Sequence, residues 1–182
     1  ITQFGPETSP EFQKARNNFV KSMASYSIIT YLLAIKDRHN GNIMYDNQGH
    51  VLHVDFGFCF DIAPGGVTFE QSPFKLTKEM VKVMGGSTDT QAFKWFEELC
   101  VKSFLVCREH MDMIIAAVMP MLDSGLPCFK NATIKHLKAR FVPERDAEGA
   151  AAFMRGLVRK SYLSVATKTY DEFQRLTNGI PY

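Results

Sequence analysis

Between Ile35 and Phe58 two short polar clusters flank a minimal hairpin, and this pattern sharply limits the architectures open to the chain. Asn42-Ile-Met-Tyr45 and Val51-Leu-His-Val54 are short apolar runs, and the turn-forming residues Asp46-Asn47-Gln48-Gly49 join them. An antiparallel hairpin returns the chain to its starting edge, so its flanks, Asp37-Arg-His-Asn-Gly-Asn42 and Asp55-Phe-Gly57, meet there. With this small strand signal and helical periodicity elsewhere, the expected class is α+β, predominantly α-helical, the hairpin carrying two polar loops.

The helical signals are specific. Ser9-Pro10-Glu11 combines a capping hydroxyl, a proline suited to the first helical position and an acid in the first turn. Apolar residues Phe12, Phe19, Met23, Tyr26 and Ile29 follow at helical spacing, predicting a long helix to about Ile35. Downstream, helices are predicted over Thr77–Met84, Asp89–Cys107, Glu109–Leu122 and Asn131–Phe141, then from Arg145 to about Thr177 with a break near Thr167. Glycines punctuate this half at Gly85-Gly86 and Gly125. The stripes Phe93, Phe96, Phe104, Met111 and Met113 are expected to be core packing rather than a cofactor box.

Composition excludes several classes. At 182 residues, 46% hydrophobic and 22% charged, the chain can bury a substantial core and is not expected to be disordered. Its longest relevant apolar run, Ile114–Leu122, is interrupted by Pro120 and falls short of the ~20 residues that span a bilayer. The start, Ile1-Thr-Gln-Phe-Gly5, lacks the features of a signal peptide and suggests sequence upstream. Cys59, Cys100, Cys107 and Cys128 show no C-x-x-C spacing and sit among apolar neighbours, suiting reduced thiols and a cytosolic setting. Residues 1–129 carry 11 basic and 14 acidic side chains, residues 130–182 carry 10 and 5. The basic C-terminal third suits either solvated helix faces or attraction to an anionic surface.

Phosphoryl transfer needs a group to receive or orient the hydroxyl proton, and oxygen ligands that hold Mg²⁺ against nucleotide phosphates. Asp37, Asn42 and Asp55 can supply these. Asp37 and Asn42 are five apart, as are Asp and Asn in the protein-kinase catalytic loop H-R-D-x-x-x-x-N, and a D-F-G follows beyond the hairpin. In that setting Asp55 would chelate Mg²⁺, Asn42 would serve a second metal position, and Gly57 would let the chain turn away.

The order here is Asp-Arg-His rather than His-Arg-Asp, and D-R-H-N-x-N followed by D-F-G resembles the phosphatidylinositol 3- and 4-kinase superfamily. The resemblance spans essentially the whole chain: Tyr31 through Met44, His53-Val-Asp-Phe-Gly57, Pro64-Gly-Gly66, Lys75-Leu-Thr-Lys-Glu-Met80 through Gly85-Gly86, Gly125-Leu-Pro-Cys-Phe129 and Asn178-Gly-Ile-Pro-Tyr182. It is nearest to the type III alpha phosphatidylinositol 4-kinase branch; Lys36 before Asp-Arg-His, where many 3-kinases have Gly, favours that side.

The resemblance implies a protein-kinase-like C-terminal lobe over 1–182, with a catalytic loop at 37–42 and an activation loop at 55–74. Asp37 and His39 would be the catalytic pair, Asn42 and Asp55 the metal ligands, and Asn42, Met44, Val54 and Asp55 the nucleotide-binding residues, with Met44 and Val54 beneath the adenine. ATP and Mg²⁺, or Mn²⁺ in its place, would be the cofactors. His39 can accept a proton, stabilise transferring charge, or be a neutral histidine satisfied by a carbonyl. Neither Asp37 nor His39 is singled out as the base. Arg38 is expected to brace the loop.

In this superfamily the activation loop reads the lipid headgroup. Phe56–Phe74 contains no Lys or Arg, whereas a headgroup bearing phosphate monoesters would call for cationic donors. Plain phosphatidylinositol better suits Asp61, Thr68, Glu70, Gln71 and Ser72; Phe58, Phe60 and Phe69 are expected to pack. The terminal helix, with Arg159, Lys160, Tyr162, Leu163, Tyr170, Phe173 and Leu176, combines basic and aromatic residues as interfacial helices do, or it packs on the lobe or a regulatory subunit.

The 182 residues hold no G-x-x-x-x-G-K, no G-x-G-x-x-G and no strand-borne Lys ahead of the catalytic loop. A nucleotide-covering N-terminal lobe and an upstream helical region are expected to come from further sequence, and this segment alone is expected to be inactive. The expected reaction is transfer of the ATP γ-phosphate to the 4-hydroxyl of phosphatidylinositol on a membrane. The expected location is cytoplasmic, with recruitment to the plasma membrane and regulatory or scaffold subunits as partners. The rival readings are a phosphatidylinositol 3-kinase, the protein-kinase branch, which carries a distinct C-terminal extension, and a non-catalytic membrane or scaffold module. Nucleic-acid binding has no aromatic and basic interleaving on a sheet to support it, and no nucleic-acid partner is expected.

Overall fold

The computed structural model describes residues 3–64 and 72–162. Helix α1 (Pro10–Leu32) begins as its sequence dictates: the Ser9 hydroxyl accepts from the Phe12 amide at 3.2 Å, Pro10 opens the first turn, and Glu11 lies at the positive end of the helix dipole. It stops three residues earlier than the periodicity suggested. Ala34 adopts a left-handed φ of 48°, and the Ile35 amide turns back to the Thr30 carbonyl.

Strands β1 (Ile43–Tyr45) and β2 (Val51–His53) form the two-stranded antiparallel sheet, pairing Ile43 with His53, Met44 with Leu52 and Tyr45 with Val51. Asp46 builds the turn by accepting the Gln48 and His50 amides on Oδ1. Gly49, at φ 88°, is required twice over, because a Cβ there would approach the Ala15 carbonyl oxygen to 2.8 Å. The hairpin lies along α1. Asn18 Nδ2 donates to the Gln48 carbonyl, Ser22 Oγ accepts from the Val51 amide, and the Tyr26 and His53 rings stack with centroids 4.4 Å apart. The edge of the hairpin that carries the loop 37–42 therefore inherits the rigidity of a 23-residue helix.

The helical half comprises α2 (Lys78–Val83), α3 (Gln91–Glu109), α4 (Met111–Val118), α5 (Thr133–Arg140) and α6 (Ala147–Tyr162). Thr77 and Thr90 cap α2 and α3 with their hydroxyls. Helix α3 packs between α1 and α6, and the core gathers Phe19, Met23 and Ile28 of α1 around Phe96 and Phe104 of α3 and Met154 of α6. Burying a phenylalanine of this kind is worth about 1.5–3 kcal/mol.

Two expectations need correction. The segment predicted as one helix over Glu109–Leu122 leaves the α-form at Val118 and continues as a 3₁₀ turn, Met119–Ser124. Pro120 has no amide to donate, so the α-helical ladder breaks there. Met113, expected in the core, is 65% exposed, while Phe93, Phe96 and Phe104 are buried and Met111 packs at the core's edge. All four cysteines are free, Cys100 and Cys128 buried and Cys59 and Cys107 half-buried. Among the described residues no helix is long and apolar enough to cross a membrane. Thr68, Phe69, Glu70, Gln71, the Gly65-Gly66 pair, and Leu163, Tyr170, Phe173 and Leu176 lie outside the described residues.

Candidate active site

The hairpin closes its two flanks onto one another as its pairing requires. The Val54 amide donates to the Asn42 carbonyl at 3.1 Å, which brings Asp55 beside the loop 37–42. That loop ends in a 3₁₀ turn, Asn40–Asn42, whose backbone leads directly into β1. Within it Asn42 is buried, and its Nδ2 donates to the Asp37 carbonyl at 3.0 Å and lies 3.5 Å from Asp37 Oδ2. His39, also buried, brings Nε2 to 3.8 Å from Asp37 Oδ2. Asp37, His39 and Asn42 thus converge, with Asp37 at the centre.

Both aspartates sit on left-handed backbone, Asp37 at φ 62° and Asp55 at φ 56°. Aspartate tolerates this region better than most side chains, and non-glycine residues held there cluster at functional sites. This corrects the role expected of Gly57, which is not among the positive-φ residues. The sharp turn belongs to Asp55 itself. Gly57 matters through closeness: its amide donates to Asp55 Oδ1 at 3.2 Å, and a Cβ on it would meet that same oxygen at 3.2 Å.

Arg38, 1% exposed, is the brace its sequence position suggested. Its guanidinium donates to the carbonyls of Lys36 and Val54 at 3.0 and 2.8 Å and to that of Asp55, and its charge lies over the Phe56 ring. One planar, permanently charged fork therefore binds the loop 37–42 to the backbone of the D-F-G turn. The next residues are stapled too. The Lys36 amide donates to the Phe58 carbonyl and the Phe60 amide to the Leu33 carbonyl, both at 2.8 Å.

The residues just past the D-F-G are fastened to the helical half. Asp61 accepts from the Thr133 hydroxyl, and its Oδ1 lies 2.7 Å from His136 Nδ1. Desolvation alone would push this carboxyl up, but the hydrogen bonds from Thr133 and His136 and the charges of His136 and Arg140 hold it below its ordinary value. Ser72 is buried and donates to the Phe74 carbonyl. Asp61 and Ser72, expected to face a headgroup, instead have their polar atoms engaged within the fold. Near the D-F-G, burial and the neighbouring Cys128 push the Cys59 thiol up to about 11, away from the reactive thiolate.

Met44 and Val54 flank the same edge. Met44 is 54% exposed and, with its exposed cross-strand partner Leu52, forms an open apolar ledge on the hairpin, while Val54 is half-buried. The donor set suits a hard cation. With its Nδ2 donating to Asp37, Asn42 offers Oδ1, and Asp55 offers an exposed carboxylate. Among the described residues no group of three or more His, Cys, Asp or Glu gathers into a closed cage. Two protein oxygens completed by substrate phosphates is how Mg²⁺ is commonly held.

His53, Asn40 and Lys75 were not singled out as site residues from sequence, although the inward face of β2 marked His53. Burial pushes the His53 imidazole down to about 4, helped by the charges of Arg38 and Lys75, so it is neutral near pH 7. Neither ring nitrogen has a hydrogen-bond partner among the described residues.

The chain is similar in sequence to known proteins. The sequence model of the family described as phosphatidylinositol 3- and 4-kinase matches residues 4–131. The chain is 65% identical over its whole length to phosphatidylinositol 4-kinase STT4 of Saccharomyces cerevisiae and 62% identical to phosphatidylinositol 4-kinase stt4 of Schizosaccharomyces pombe. It is 45% identical, over 96% of its length, to phosphatidylinositol 4-kinase beta 1 of Arabidopsis thaliana. The chain spans 10% of each fungal relative and 16% of the plant one.

Proposed function

Because this chain belongs to the phosphatidylinositol 3- and 4-kinase family, we propose that it supplies the catalytic and metal-binding lobe of a phosphatidylinositol 4-kinase. The reaction moves the γ-phosphoryl group of ATP to the 4-hydroxyl of phosphatidylinositol and gives phosphatidylinositol 4-phosphate. The observation that carries this reading is the convergence of Asp37, His39 and Asn42 with the D-F-G backbone at one hairpin edge.

The inositol oxygen forms a bond to the γ-phosphorus, the bond from that phosphorus to the β–γ bridging oxygen breaks, and ADP leaves. Asp37 and His39, facing each other across 3.8 Å, receive the hydroxyl proton as a pair. Asn42 and Asp55 would hold Mg²⁺, or Mn²⁺ in its place. A divalent cation there neutralises charge on the phosphate oxygens and orients them. Arg38 fixes the spacing of these loops, and the ledge containing Met44, together with Val54, supports adenine from below. The nucleotide-covering lobe comes from further sequence, consistent with the small fraction of each relative that this chain spans.

The acceptor is phosphatidylinositol without added phosphate monoesters. Residues 56–74 bring no Lys or Arg, and the next cation, Lys75, is 1% exposed. The protein works at the cytoplasmic side of a membrane, the plasma membrane, to which regulatory or scaffold subunits and the basic, aromatic C-terminal segment recruit it. Unchanged liposome binding after truncation at Thr167 would remove that segment from the account. The test of the reaction is the position of radiolabelled phosphate on phosphatidylinositol vesicles incubated with full-length protein, Mg²⁺ and ATP. Label at the 4-hydroxyl supports it; label at the 3-hydroxyl keeps the site and overturns the acceptor.

A further inference from the structure

Lys75 is the first cation after the activation segment, and in sequence its obvious use would be to reach an anionic lipid. The structure places it elsewhere. It is 1% exposed, and its Nζ donates to Asn40 Oδ1 at 2.7 Å across 35 residues of sequence. Neighbouring Phe74 and Leu76 are each 2% exposed and belong to the hydrophobic core, so the backbone bearing Lys75 is anchored on both sides. Burying an ammonium group is costly unless it is paired and hydrogen-bonded, and its short bond to Asn40 is of the charge-assisted kind.

Asn40 lies between His39 and Asn42. Its carbonyl accepts from the Ile43 amide, closing the 3₁₀ turn that delivers Asn42 into the site. A bond that fixes the Asn40 side chain therefore fixes the turn holding one member of the catalytic pair and one metal ligand. Arg38 grips the same loop, but through the D-F-G backbone. Lys75 grips it from the far end of the activation segment.

We propose that Lys75 is a positioning residue for phosphoryl transfer, holding the catalytic loop through Asn40 and making its geometry depend on the docking of residues 72–76. The inference rests on the kinase reading above and deepens it. Misplacing reacting groups by about 1 Å costs on the order of 100-fold in rate, so loss of this bond should appear in kcat. The KM for ATP should change less than kcat, since neither Lys75 nor Asn40 is itself among the residues placed at the nucleotide.

The test uses full-length protein with phosphatidylinositol vesicles and compares wild type, Lys75→Met, Asn40→Leu, Asn40→Asp and the Lys75→Met/Asn40→Leu double variant. Lys75→Met leaves a buried cavity and can fail to fold, so Asn40→Leu removes the same bond from the loop side. The expected result is a fall in kcat of about 10- to 100-fold for Asn40→Leu, with KM for ATP changed less than about twofold. Asn40→Asp, which keeps an oxygen acceptor, should retain most of the activity, and the double variant should be no worse than the poorer single one. Wild-type kcat in Asn40→Leu, or losses that multiply in the double variant, would overturn the inference alone. Absence of lipid product from wild type would overturn the kinase reading and this inference with it.

Discussion

The guanidinium of Arg38 donates to the Val54 carbonyl oxygen at 2.8 Å, so the residue after Asp37 holds the residue before Asp55. The loop 37–42 and the D-F-G turn are thereby one mechanical unit, closed around a hairpin with only three residues in each strand. Arg38→Met should leave several buried carbonyls without their donor and cost about 3 kcal/mol of stability, given the usual worth of hydrogen bonds to charged groups. It should also raise the Mg²⁺ concentration needed for half-maximal turnover. Denaturant titration and a Mg²⁺ titration of the full-length variant measure the two effects; an unchanged Mg²⁺ requirement would separate Arg38 from the metal loop.

Gly57→Ala tests the tightness of the D-F-G turn. The added methyl would stand 3.2 Å from Asp55 Oδ1, closer than most real Cβ contacts, so the carboxylate must shift. Because φ at Gly57 is not positive, the backbone itself tolerates alanine. The variant should fold normally and lose roughly 10-fold or more in kcat through misplacement alone. Normal folding with wild-type kcat would show that Asp55 has room the structure does not suggest.

The Asp61 contacts predict a pH effect of definite sign. Folding holds the Asp61 carboxyl below its ordinary 3.8, so its contribution is fully present above that value and is lost as pH falls through the lower folded value. In the acid range wild type should therefore lose stability more steeply than Asp61→Asn, which no longer titrates. Denaturation midpoints measured between about pH 6 and pH 3 should converge as the pH falls. Parallel curves would mean that Thr133 and His136 do not favour the ionised form.

Cys59 lies four residues past Asp55, yet it should resist alkylation. With its thiol pushed up to about 11, roughly one part in a thousand is thiolate at pH 8. Mass spectrometry after brief iodoacetamide treatment of folded protein should find Cys59 unmodified. Rapid labelling would contradict the hold that partial burial and Cys128 have on this thiol.

Much of this arrangement was legible because local rules and global fold agree. Ser9-Pro10 announced the start of α1, the 46–49 turn announced the hairpin, and a hairpin necessarily joins its flanks, so Asp37, Asn42 and Asp55 could be grouped from spacing. Arg38 was legible as a brace for a similar reason, since an arginine inside a tight polar loop finds carbonyls close by. What remained hidden depends on contacts between distant segments. Nothing near Asp61 in sequence foretells Thr133 and His136, and nothing near Lys75 foretells Asn40. The positive φ of Asp55 was credited to Gly57, because glycine is the usual bearer of such a turn. Helix α4 ends sooner than its apolar periodicity suggests, because Pro120 has no amide to continue the ladder.

The central claim is that Asp55 and the loop 37–42 form one phosphoryl-transfer site acting on phosphatidylinositol. The most direct measurement compares full-length wild type with Asp55→Ala, both verified as folded, for transfer of radiolabelled γ-phosphate to phosphatidylinositol vesicles in Mg²⁺. Asp55 is exposed, so the variant should stay folded, losing on the order of 1 kcal/mol because alanine tolerates the left-handed backbone there less well and the Gly57 amide loses its acceptor, while product at the 4-hydroxyl falls at least about 1,000-fold. Retention of more than a tenth of wild-type turnover by a folded Asp55→Ala protein would contradict the account.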